Sequence, residues 1–210
     1  MSRRIEGWTR RTALAVAVAS LGALGACASA ASMPATGGAL AAAPVPKGTT
    51  TVYLVRHAEK SSQPANDPVL TPAGEARARA LAEALADAGV QAVITTQLLR
   101  TRETARPLAE RLSLATEVVA VGRSAREHAK AVADAVREHA GQVVLVVGHS
   151  NTVNLIIEQL GGPKLPDLCD AAYANLFMVQ VAEGKPTRLV RAEYGARLAE
   201  PGAACPGMSP

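Results

Sequence analysis

Two histidines stand directly behind apolar runs of this chain, each beside a small or cationic neighbour. Thr51-Val52-Tyr53-Leu54-Val55 leads into Arg56-His57-Ala58-Glu59-Lys60, and Gln142 to Val147 leads into Gly148-His149-Ser150-Asn151. A third apolar run, Val90 to Thr95, precedes Leu99-Arg100-Thr101-Arg102-Glu103-Thr104-Ala105. Two arginines offer paired donors to a phosphoryl dianion, and a helix beginning near Ser150 would add backbone amides and a favourable dipole. A neutral imidazole is a competent nucleophile near pH 7, and a second, protonated one can stabilise charge on the transferring group. This scheme calls for no metal or cofactor, and the carboxylate clusters of metal-dependent phosphatases are missing.

For these residues to meet, the chain must bring several strand ends to one edge. The run Thr51 to Val55 shows no polar alternation, as in a parallel strand buried on both faces. Thr71 and Pro72 open a helix whose apolar face is Ala78, Leu81, Ala82 and Leu85, with Gly89 closing it. Val90 to Thr95 is a strand. Arg100 to Leu112 is a helix in which Pro107 predicts a kink or a restart. Glu117 to Val121 reads as a short strand, Ser124 to Ala140 as a helix, and Gln142 to Val147 as the strongest strand. Asn151 to Leu160 is helical, with Asn151 as the expected cap. Asn175 to Val181 and Arg188 to Glu193 form two last strands around Gly184-Lys185-Pro186. Such alternation predicts an α/β fold, a three-layer sandwich with a largely parallel central sheet flanked by helices. Ligands of such sheets bind beyond the carboxyl ends of the strands, where Arg56, His57, Arg100 and His149 lie.

The three blocks Arg56-His57-Ala58-Glu59, Arg100 with Thr104-Ala105, and Gly148-His149-Ser150 resemble the signature of the histidine phosphatase (phosphoglycerate mutase-like) superfamily. The resemblance runs from about Thr51 to Glu193. It includes Asp67-Pro68-Val69-Leu70-Thr71, similar to small bacterial members such as phosphohistidine phosphatases. It implies that His57 is phosphorylated, that Arg56, Arg100 and His149 form the phosphate pocket, and that water hydrolyses the phosphohistidine. Ser150 stands where acid phosphatases and phytases of the superfamily carry an aspartate, and it reads as a backbone donor to phosphate. Many members hold a proton-donating carboxylate between the second arginine and the second histidine; Glu127 is the best placed here. His128 and His139 fall in a charged helix and are expected to be exposed. Glu59 and Lys60 are expected to support the pocket, with Tyr173 at its rim.

Beyond this site the chain reads as an export unit. Residues 1–26 have the build of a signal peptide: Arg3 to Arg11 is basic, Thr12 to Ala26 apolar, and Leu24-Gly25-Ala26-Cys27 resembles a lipobox with Cys27 lipidated. The apolar stretch is about 15 residues, short of the roughly 20 that span a bilayer. Residues 27–49 comprise this cysteine and an Ala/Gly/Ser/Pro tether, 50–197 the phosphatase domain, and 198–210 a tail. Of the net charge of +4, the first 26 residues hold +3, leaving 18 basic and 17 acidic residues elsewhere. With 2% aromatics as well, nothing favours nucleic-acid binding. In an oxidising compartment Cys169 and Cys205 could pair, with free thiols as the alternative.

The expected protein is a metal-independent phosphomonoester phosphatase on the periplasmic face, lipid-anchored, in the outer membrane if the cell is Gram-negative. Its partners would be a phosphorylated small molecule or an envelope glycan or lipid. A non-catalytic lipoprotein that binds phosphate ligands, and a phosphomutase, are the alternatives.

Overall fold

The computed structural model describes residues 48–196. The expected signal peptide, Cys27, most of the tether, and the tail with Cys205 lie outside the described residues. Among the described residues no helix is long and apolar enough to cross a membrane.

Among the described residues six strands and four helices follow one another: β1 (Thr49–Arg56), α1 (Pro72–Ala84), β2 (Ala92–Thr95), α2 (Leu99–Arg111), β3 (Thr116–Val118), α3 (Ala125–Glu138), β4 (Val143–Gly148), α4 (Val153–Gln159), β5 (Asn175–Ala182) and β6 (Arg188–Glu193). They form one sheet in the order β3-β2-β4-β1-β5-β6. β1 lies between β4, to which it is parallel, and β5, to which it is antiparallel. β2 is parallel to both β3 and β4, and β5 pairs antiparallel with β6. Only β5 therefore runs against the others, and the sheet is largely parallel as the sequence predicts.

Strand periodicity divides the core into two. Val52 and Leu54 of β1 face Ala129, Val132, Ile156 and Ile157 of α3 and α4. Tyr53 and Val55 face Leu81, Leu108 and their neighbours on α1 and α2. Successive residues of a strand point to opposite faces, so a central strand covered on both sides must be apolar throughout. The three-layer sandwich follows from that pattern.

Local chemistry sets the helix starts. Thr71 caps α1, its Oγ1 accepting from the Gly74 N–H at 3.1 Å, with Pro72 in the first turn. Ser124 caps α3 in the same way by accepting from the Glu127 N–H at 3.1 Å. α2 has no such residue at its own cap. Asp67 supplies the function from the distant loop between β1 and α1, its carboxylate accepting from the Leu99 N–H at 3.0 and 3.2 Å.

Two expectations about helices are corrected. Of the kink or restart expected at Pro107, the restart is ruled out: α2 continues through it as one helix, with Thr104, Ala105, Leu108 and Ala109 buried on both sides of it. α4 begins at Val153, and its cap is Thr152 rather than Asn151. Thr152 Oγ1 accepts from the His149 N–H at 3.0 Å, so the turn after β4 is closed before the helix starts.

Gly74 brings α1 against the residues that follow β1. A Cβ there would run into the Glu59 carbonyl oxygen, which is backbone and cannot swing aside. In an unconstrained helix Gly→Ala is stabilising by about 1 kcal/mol. Here the sign should reverse, with Gly74→Ala costing about 1–3 kcal/mol in urea unfolding. A gain in stability would show that α1 can move away from Glu59.

Candidate active site

The carboxyl ends of β1 and β4 are adjacent, and the loops leaving them are tied together. The His57 N–H donates to the Gly148 carbonyl at 2.9 Å, extending the β1–β4 ladder to the two histidine-bearing turns. The Ala58 N–H donates to Thr104 Oγ1 at 2.9 Å, and that hydroxyl donates to the Arg100 carbonyl at 2.6 Å. One threonine thereby links the turn after β1 to the arginine-bearing first turn of α2.

The result is a cavity of about 480 Å³ lined by Arg56, His57, Arg100, His149 and Ser150, with His128, Arg123, Lys60, Asn151 and Asp170 around them. The rings of His57 and His149 are 5.5 Å apart and meet edge to face. His57 Nδ1 lies 2.8 Å from the Ala58 carbonyl. A carbonyl can only accept, so Nδ1 carries the proton and Nε2 is left with its lone pair. That is the tautomer a nucleophile requires.

Arg56 is held from the far side. Its guanidinium donates to the carbonyls of Cys169 and Asp170, both at 2.9 Å, and more weakly to Asp170 Oδ1 and Tyr173 Oη, both at 3.4 Å. It also lies over the Tyr173 ring at 4.2 Å from the centroid. Cys169 is disulfide-bonded, whereas Cys205, its expected partner, lies outside the described residues.

Several polar atoms at this cavity are buried without a hydrogen-bond partner: Nε of Arg56, Nε of Arg100, Nε2 of His149 and Nε2 of His128. Buried polar groups are normally satisfied, and leaving one bare costs about 1–3 kcal/mol. Unsatisfied groups of basic residues gathered at one cavity suit an anion. Among the described residues, the only carboxylate in the lining is Asp170, which is exposed and contacts Arg56 at 3.4 Å. Among the described residues, no three His, Cys, Asp or Glu side chains group to hold a metal ion.

Burial and the neighbouring cations keep these imidazoles neutral. Burial first, then Arg56, Arg100 and Lys60, lower the His57 pKa to about 4, against the opposing Ala58 hydrogen bond. Burial, then His57, Arg100, His128 and Arg56, lower that of His149 to about 3. Burial also lowers Arg100, against the pull of Asp67. An unfolded histidine takes its proton near pH 6.5. As pH falls from about 6.5 towards 4, the unfolded chain binds protons that the folded one refuses, and stability is lost. His57 alone should contribute on the order of 3 kcal/mol to that loss. Urea midpoints at pH 7 and pH 4.5 test this: His57→Ala should narrow the difference between them, and an unchanged difference would contradict it.

Of the residues read from the sequence, Arg56, His57, Arg100, His149 and Ser150 are brought together. Glu127 is not in the lining; its carboxylate is exposed and lies 3.9 Å from Arg123. Glu59 supports the site from behind, accepting from Arg77 Nε at 2.9 and 3.0 Å. Lys60 is exposed at the rim, beside its bridge to Leu70. The expectation of exposure fails for His128, which is only 1% exposed and lines the cavity. It lies on the same stripe as Val132 and Val136, at spacings of four that place it on the buried face of α3. His139 is partly buried and pairs with Glu117 at 2.9 Å. Asp67, Arg77 and Asp170 were missed as supports, since nothing local in the sequence marks a partner so far along the chain.

Residues 52–121 match the family model described as histidine phosphatase superfamily (branch 1). No curated protein matches the sequence of this chain. The fold is similar to that of the protein histidine phosphatase SixA complexed with tungstate, at 19% identity, covering 68% of this chain and 96% of that one with a TM-score of 0.55. It is also similar to a mycobacterial glucosyl-3-phosphoglycerate phosphatase, at 17% identity over 67% of this chain and 97% of the other, TM-score 0.52. A phosphoserine phosphatase from Entamoeba histolytica in complex with 3-phosphoglyceric acid shares 13% identity over 70% and 98% of the two chains, TM-score 0.53. The match to the histidine phosphatase model thus takes in the Arg56-His57 and Arg100 blocks, and the α/β fold of the described residues is similar to that of these phosphatases.

Proposed function

We propose that this chain is a phosphomonoester phosphatase that works through a phosphohistidine at His57. The observation that carries the reading is the convergence of buried, unsatisfied Arg56, Arg100 and His149 atoms at the cavity that holds the bare Nε2 of His57. Arg56 and Arg100 hold the phosphoryl oxygens, and His149 takes a proton as the dianion arrives and donates to it. His57 Nε2 attacks phosphorus, forming a P–N bond as the P–O bond to the alcohol breaks and the alcohol oxygen takes up a proton. Water then attacks phosphorus, the P–N bond breaks, and inorganic phosphate leaves with His57 neutral again.

Among the described lining residues no carboxylate other than Asp170, which contacts Arg56, could donate the proton to the leaving group, so esters of acidic alcohols should react fastest. The basic N-terminal segment, its apolar run and Cys27 support a lipid-anchored protein on the periplasmic face. In that location the substrates are phosphorylated small molecules or envelope glycans and lipids. The test is hydrolysis of p-nitrophenyl phosphate by the full chain at pH 4–8 in the presence of EDTA, beside His57→Ala. Activity that survives EDTA and requires His57 supports the metal-free route. Phosphate binding with no turnover at any pH would favour a non-catalytic binding lipoprotein.

A further inference from the structure

His128 has no part in the chemistry above, yet it is built much as His57 is. Its Nδ1 lies 3.1 Å from the Ala120 carbonyl, which can only accept, so Nδ1 carries the proton and Nε2 keeps its lone pair. That Nε2 is buried and has no partner. The side chain lines the same cavity as His149, close enough that a proton on His128 would make one on His149 less favourable. A leucine or valine would continue the stripe of Val132 and Val136 without burying a lone pair. An asparagine could make the Ala120 bond just as well. A histidine pays for its second nitrogen, and that cost has no structural return.

The surroundings say what the nitrogen is for. His149 faces the cavity from the end of β4, Arg56 and His57 from the end of β1, Arg100 from α2 and Arg123 from the loop before α3. On its own helix, Glu127 turns its carboxylate towards Arg123. Asp170 is paired with Arg56. Among the described residues no carboxylate offsets a proton on His128 or His149 in the free protein, and burial lowers the pKa of His128 as it does that of His149. An anion brought into the cavity supplies the missing charge.

We propose that His128 is the proton partner of His149: when a phosphoryl dianion occupies the cavity, the two imidazoles together take up one proton, and they release it when inorganic phosphate leaves. The proton comes from solvent or from the monoanionic form of the substrate. Only N–H bonds form and break on the pair. His128 acts through His149 and is a positioning residue; the inference rests on the phosphatase reading of this cavity.

Tungstate is a suitable probe, being a tetrahedral dianion that carries no proton at pH 7 and is not turned over. Its binding to the full chain is measured by calorimetry in buffers of different ionisation enthalpy, which counts protons taken up. Wild type should take up about one proton per tungstate. His128→Asn keeps an amide N–H for the Ala120 carbonyl but has no nitrogen in the Nε2 position. It should lose at least half of that uptake and bind tungstate about fivefold to tenfold more weakly. It should also shift the alkaline limb of the kcat/KM profile to lower pH, with His128→Gln behaving alike.

Wild-type uptake in His128→Asn would overturn the proposal and leave His128 a structural anchor for Ala120. If neither variant folds, nitrogen NMR of the wild type decides: on tungstate saturation the His128 and His149 Nε2 signals should both move towards the protonated ring and together account for about one proton, and an unchanged His128 signal overturns the idea. Absence of tungstate binding would overturn this inference and the phosphate pocket together. Tungstate binding with the expected uptake but no ester hydrolysis would overturn only the phosphatase reading.

Discussion

Replacing His57 with alanine is expected to lower kcat for p-nitrophenyl phosphate by at least about a thousandfold while leaving KM within a few fold. The asymmetry follows from the division of labour at the cavity. Arg56 is held by the carbonyls of Cys169 and Asp170, and Arg100 by the start of α2 that Asp67 secures. Neither depends on the His57 side chain, so the anion still binds. What disappears is the Nε2 lone pair that the Ala58 carbonyl orients. On the proposed phosphohistidine route, water must then attack the ester directly, because the two-step covalent path is closed. Brief incubation with labelled substrate should put acid-labile phosphate on the wild type and none on the variant. A loss in kcat smaller than tenfold would mean that another group attacks phosphorus.

Replacing Arg77 with methionine is expected to destabilise the fold by about 3–5 kcal/mol, enough to lower the urea midpoint by about 2 M. Arg77 is 3% exposed and uses its whole guanidinium. Nε donates to both oxygens of Glu59, Nη1 to the Tyr194 carbonyl at 3.1 Å, and Nη2 to the Ala196 carbonyl at 2.7 Å. It thus ties α1 both to the turn after β1 and to the chain leaving β6. Methionine fills much of the volume but leaves the Glu59 carboxylate, whose side chain is 12% exposed, without its counter-charge. Removing one member of a buried pair costs far more than removing both. The double variant Glu59→Gln/Arg77→Met should therefore recover part of the loss. Glu59 is two residues from His57, so surviving Arg77→Met protein should also have a lowered kcat. A destabilisation below about 1 kcal/mol would show that solvent already carries much of the Glu59 charge.

The residues that meet at the cavity were legible because each member announces itself locally. An apolar run with no alternation marks a strand covered on both faces, and the residue behind it must lie at a sheet edge. Arg56, His57 and His149 are found by that rule alone, and Arg100 by its place shortly after the next strand. The capped start of α1 at Thr71-Pro72 and the final hairpin were legible for the same reason: the information lies within a few residues. His128 was within reach as well, since its spacing to Val132 and Val136 marks a buried face, but its charged neighbours hid the pattern.

The amino-acid sequence by itself determined the family of elements, their order, and which four side chains meet at the strand ends. Only the tertiary structure decided what holds them there and what else faces the cavity. Asp67 capping α2, Asp170 and the Cys169 carbonyl gripping Arg56, and Arg77 closing on Glu59 join residues between 18 and 114 positions apart. Such pairs leave no period or spacing in the chain, because their geometry exists only once the sheet order β3-β2-β4-β1-β5-β6 is formed. Burial is of the same kind. It turns His128 from a charged-helix residue into a neutral one at the cavity, and Glu127, its neighbour in sequence, into a surface residue one step around the helix.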